Sequence, residues 1–164
     1  MTQPLFTYDT SLRYVYQCTV WHPAIAPSNV NCNTKLPNGQ TVGQVVNQYR
    51  NQIQSFEAAN NGGLFTTEAA FYQVSKSNGP IDFKNIFSGQ ADGVMLGQAG
   101  NFAYYAIGAG ILPNAELDAG AGAYALYSAA LGRKPFSSLT GPMFSDASAA
   151  SVRSAALASN GCAQ

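Results

Sequence analysis

The chain has 164 residues, enough for one domain with its own core, and its eight basic side chains balance eight acidic ones. Only 10% of residues are charged while 46% are apolar, against roughly 25% charged in ordinary globular chains. A nucleic-acid binder needs a basic stripe to neutralise phosphates, and here Arg13, Lys35, Arg50, Lys76, Lys84, Arg133, Lys134 and Arg153 are scattered with one adjacent pair.

Residues 1–40 read as an irregular arm, punctuated by Pro4, Pro23, Pro27, Pro37 and the Asn38-Gly39 pair. Its start, Met1 to Asp9, lacks the basic region and apolar run of a signal peptide. Leu12 to Trp21 alternates enough for a short strand or a packed arm. Thr41 opens the clearest helix, because Val42, Val45, Val46, Tyr49, Ile53 and Phe56 recur at intervals of three and four. Asn60-Asn61-Gly62-Gly63 stops it. A second helix is expected from Thr67 to Lys76, capped by Thr66 and ended by Asn78-Gly79-Pro80. Gly100 to Ile111 reads as a buried helix rich in small residues. Asn114 is expected to cap a fourth helix, which runs to Leu131-Gly132, and Asp146 a fifth, which runs to Ala158. No segment is long and apolar enough to span a membrane. The expected fold class is mainly α: one domain over 1–164, with a helical core over 41–164.

Three cysteines, Cys18, Cys32 and Cys162, allow one disulfide and one free thiol, and spacing leaves the pairing open. Cys18 and Cys32 bracket part of the arm and would tie a loop with little core of its own. A single His and no close Cys pair make a zinc site unsuitable. Neither a metal nor another cofactor is implied, since phosphate-binding and dinucleotide motifs are also absent.

The chemistry therefore falls to carboxylates. His22 sits in Trp21-His22-Pro23, a packed turn, and a Cys–His peptidase built on Cys18 or Cys32 is a secondary possibility. Asp9 lies in the tail, Asp92 in a turn, and Glu116 and Asp118 in the first turn of the fourth helix, where negative charge suits the dipole. Glu57 closes the long helix beside Phe56, where the helix C-terminus and desolvation would favour a protonated acid. Glu68, at a helix start, suits an ionised base or nucleophile. Asp82 follows a turn in Pro80-Ile81-Asp82-Phe83-Lys84 and has a competing role as a cap or a partner of Lys84. Asn101, Tyr104 and Tyr105 offer the amide, hydroxyl and aromatic groups of a sugar subsite, although Tyr at helical spacing also serves a core.

Phe71 to Lys84, then Gly100-Asn101-Phe102-Ala103-Tyr104-Tyr105, then Leu117 and Gly120-Ala121-Gly122-Ala123-Tyr124 resemble, in order and spacing, the polymorphic toxin type 44 domains. Ile81 stands where that family has Trp, and Tyr105 where it has Gly. About a third of the chain carries the match. The resemblance implies an antibacterial toxin. Glu57 is similar in position to the acid of lysozyme-like hydrolases, which implies a lysozyme-like helical fold.

The low-charge surface, the disulfide-capable cysteines and the missing leader are similar to the small effectors of type VI secretion. The expected function is a peptidoglycan glycoside hydrolase, a muramidase or N-acetylglucosaminidase, acting in the recipient's periplasm without binding nucleic acid or membrane. The secretion apparatus and a periplasmic immunity protein would be its partners. Two alternatives stay open: an RNase toxin acting in the target cytoplasm, with Lys84, Arg50 or Lys76 facing phosphate, and a non-enzymatic glycan-binding domain.

Overall fold

A computed structural model describes residues 28–60, 64–133 and 147–162, with the single residues 135, 137 and 139 between the last two stretches. The possible strand at 12–21, Cys18, His22 and Asp146 lie outside the described residues. Those residues form six helices and no strand: α1 (Val42–Ala59), α2 (Leu64–Ser75), α3 (Phe83–Ile86), α4 (Gly93–Gly108), α5 (Asn114–Ala130) and α6 (Ala147–Ala158). The protein is mainly α, as its periodicity predicts. Isolated bridges join Lys35 to Thr41 and Ala109 to Leu112.

α1 starts where the sequence places it. Gln44 N–H donates to Thr41 Oγ1 at 3.2 Å and Thr41 N–H to Gln44 Oε1 at 2.8 Å, a reciprocal cap. Val42, Val45, Val46 and Ile53 are buried, but Phe56 is 47% exposed. The core-facing stripe therefore ends a turn earlier than predicted.

α4 is the central element, packing on α1, α3 and α6. Leu96, Ala99, Phe102, Ala103, Tyr105, Ala106 and Ile107 are all buried along it. A helix covered on several sides loses the one-sided stripe that betrays amphipathic helices. Its first two turns, where Gly93 and Val94 are exposed, lie outside the expected helix because Asp92 reads as part of a turn. Asp92 is the N-cap, accepting from Val94 N–H at 2.8 Å. Gly100 permits the close crossing of the segment entering α3, because a Cβ there would stand 2.8 Å from the Ile81 carbonyl oxygen.

Two further boundaries differ from expectation, and one short helix is new. α2 begins at Leu64, so Thr66 lies inside the helix and Glu68 is its fifth residue, past the first turn. Asn114 is the first helical residue of α5, and Pro113 is the N-cap position. Pro fits there because the N–H it lacks would have no helical acceptor. The short α3 was not predicted. With four residues it is too brief to show a period.

Cys32 pairs with Cys162, with a Cα–Cα distance of 5.6 Å across a sequence separation of 130. The loop between Cys18 and Cys32 is thus not tied by these two cysteines. The helical core carries the C-terminal turn over the first turns of α1. Gly43 makes room for it, since a Cβ there would stand 2.8 Å from Cys32 O and 3.4 Å from Cys162 Cβ. Asn47 Nδ2 donates to Cys162 O at 3.2 Å.

Candidate functional site

A groove of about 310 Å³ runs between the first half of α1, the turn before it and α3. Leu36, Val45, Tyr49, Pro80, Phe83, Ile86 and Phe87 supply its apolar and aromatic walls, and Asn38, Gln40 and Gln48 supply amides. Among the described residues no acidic or basic side chain lines it. Such a surface, neutral with flat apolar faces and amide donors and acceptors, suits an uncharged ligand rich in hydroxyl and amide groups.

Asp82 stands between two of the lining residues, Pro80 and Phe83. Asn78 N–H (2.8 Å) and Asn85 Nδ2 (2.6 Å) both donate to its Oδ2. The left-handed Asn78, at φ 59°, turns the chain after α2 so that its N–H meets the carboxylate. The carboxylate is pinned through one oxygen, and no hydrogen bond from a described residue reaches Oδ1. The anticipated pairing with Lys84 is replaced by these two donors, and Asp82 occupies the N-cap position of α3 without a side-chain capping bond.

Glu57 and Glu68 are placed elsewhere. Glu57 lies two turns of α1 beyond Tyr49, ~12 Å further along the axis. Glu68 stands ~10 Å of helix before the end of α2 at Ser75. Both are therefore near the connection between α1 and α2, while Asp82 follows the opposite end of α2. Each of the three is partly exposed. The predicted carboxylates separate: Glu57 and Glu68 flank the α1–α2 connection, and Asp82 lies in the chain between Pro80 and Phe83 of the groove without lining it itself. Phe56, half exposed, does not seal Glu57 from water in the way the sequence suggested.

The three residues proposed for a sugar subsite serve the packing of α4. Asn101 Nδ2 donates to Ser148 Oγ at 3.1 Å, joining α4 to α6. The Tyr104 hydroxyl donates to Leu117 O at 3.0 Å, joining α4 to α5. The ring of Tyr104 packs between Phe71 at 5.1 Å and Tyr105 at 5.2 Å. Tyr105 is fully buried, so its ring is not available to stack on a glycan, a correction to the sequence reading. Burial first, and then the charge of Asp118, push Tyr104 up to about 12 and raise Tyr105 as well.

Sequence reasoning missed the polar centre behind these tyrosines. Asp118, taken for a dipole charge at the start of α5, is 8% exposed. Arg153 Nε and Nη2 meet its two oxygens at 2.6 and 2.7 Å. Leu117 and Asp118 are buried side by side on α5. The available signal was the lone Arg153 in the otherwise small and apolar α6, which demanded a partner.

Compared with known proteins, the chain matches no family model, no curated protein and no solved structure.

Proposed function

We propose that this chain is an antibacterial effector domain that hydrolyses the glycan strand of peptidoglycan in the recipient's periplasm, on a lysozyme-like helical scaffold. The observation that carries the reading is the amide- and aromatic-lined groove, with Asp82 in the chain between two of its lining residues. In this reading the strand lies along Tyr49 and the exposed Ile86, with sugar N-acetyl and hydroxyl groups on Asn38, Gln40 and Gln48. Asp82, pinned through Oδ2, turns Oδ1 toward the scissile bond as the assisting carboxylate. Glu57 and Glu68 remain the candidate acids by residue type, but their positions support that role less well than the position of Asp82 supports its own. The toxin-type resemblance of residues 71–125 supports an antibacterial role. An immunity protein covering the groove and a secretion apparatus delivering the domain belong to the same proposal.

The Cys32–Cys162 bond supports the compartment. Disulfides persist in the oxidising periplasm and are rare in a reducing cytoplasm, which weighs against the cytoplasmic RNase. A second reading has one observation in its favour: no carboxylate among the described residues lines the groove itself, and glycoside hydrolysis ordinarily uses two. A glycan-binding domain without hydrolysis needs none.

Directed expression tests the proposal. Growth arrest only when the chain carries a periplasmic leader supports a cell-wall target; arrest without a leader supports the RNase, and no effect in either compartment supports glycan binding alone.

A further inference from the structure

Arg50 extends from α1 between two turns of the chain. Its Nη2 lies beside Gly110, in the turn between α4 and α5, and its Nη1 beside Gly161, in the turn after α6. Both glycines have left-handed backbones, with φ +80° and +71°, which L side chains rarely adopt. A Cβ at Gly161 would overlap the guanidinium, and one at Gly110 would stand 3.0 Å from Nη2. The two backbones thus form a slot that admits a planar guanidinium and leaves no room for added side chains.

Arg50 as a residue is partly buried, yet none of its guanidinium donors meets an acceptor among the described residues. Arg153, also partly buried, is matched on two nitrogens by Asp118. The Gly161 N–H likewise reaches no acceptor among the described residues. A guanidinium carries five donors and no acceptor. Holding it in place with those donors unused suits a group that arrives from outside the chain.

We propose that Arg50, set between Gly110 and Gly161, is a recognition site for a single carboxylate. The guanidinium fork matches the two oxygens of a carboxylate in parallel. Its one positive charge balances a carboxylate and leaves a phosphate dianion half-neutralised. The site stands independently of the glycan reading. Only the natural source, the free carboxylates of peptidoglycan peptide stems, rests on that reading.

Titration of the whole isotope-labelled protein, followed by NMR at the Arg50 Nε–H signal, tests the site. N-acetyl-D-alanine is expected to give a saturable shift in the millimolar range, and its amide none. Inorganic phosphate should bind about tenfold more weakly. Arg50→Gln should abolish the shift, read at the Gly110 and Gly161 amides. Gly110→Ala, which keeps the charge but crowds Nη2, should weaken it several-fold; it serves as the second variant should Arg50→Gln not fold. No saturable shift, an equal response to the amide, or tighter binding of phosphate would overturn the proposal. Intact sacculi in a lytic assay would leave this result untouched, so the two readings fail separately.

Discussion

Asp118 and Arg153, 35 residues apart in the chain, meet in a two-pronged ion pair that fastens α5 to α6. Asp118 is nearly buried and the Arg153 side chain is 26% exposed. Removing one partner leaves the other charge stranded. Asp118→Ala is expected to cost about 3 kcal/mol, toward the low end for buried pairs because water still reaches Arg153. Urea unfolding of both single variants and the double variant measures this. The double variant should lose far less than the sum, and simple additivity would contradict the pairing.

Alkaline pH should loosen the fold through Tyr104 and Tyr105. An unfolded tyrosine ionises near 10, whereas folded Tyr104 holds its proton to about 12 and Tyr105 is raised too. Between those values the folded state binds protons that the unfolded state has released. Stability is then fully present below pH 10 and falls as pH rises toward 12. Unfolding midpoints at stepped pH check the sign, and Tyr104→Phe should reduce the alkaline loss. A midpoint that rises over this range would contradict the burial of these hydroxyls.

Reducing Cys32–Cys162 removes a cross-link over nearly the whole described chain. Chain-entropy reasoning puts its contribution at roughly 4–5 kcal/mol for a loop of this length. Cys32→Ser with Cys162→Ser should lower the denaturation midpoint accordingly, and a thiol reductant should do the same to the native protein. An unchanged midpoint would show that the C-terminal turn is held by Asn47 and packing alone.

Close approach at Gly108 gives a packing test. A Cβ there would run into the Leu117 methyl groups. Gly108→Ala should therefore destabilise by about 1–3 kcal/mol despite the better helix propensity of Ala. Thermal unfolding reads the sign directly, and a stabilised variant would contradict the packing of α4 on α5.

Where a helix had one wet face, the sequence revealed it. α1 emerged from Val42, Val45, Val46 and Ile53 together with the Thr41 cap, because a single buried stripe has a period. α4 was half hidden: its buried part from Gly100 was legible by its small residues, while Gly93 and Gly97 in its more exposed first turns look like turn punctuation. The site was legible only in part. Asp82 stood out by its turn context, but its partners Asn78 and Asn85 depend on how the chain bends after α2. Tyr104 and Tyr105 were offered both to a sugar subsite and to a core, because residue type alone does not separate the two. Asp118 was misplaced for a related reason: a carboxylate in a first helical turn already has a local explanation, and its true partner lies on another helix.

Digestion of purified peptidoglycan sacculi tests the central claim most directly. The wild-type protein is expected to release reducing sugar ends, and Asp82→Asn, which keeps the side chain's shape, to release them at least about 100-fold more slowly. No release by the wild-type protein, or undiminished release by Asp82→Asn, would contradict the account.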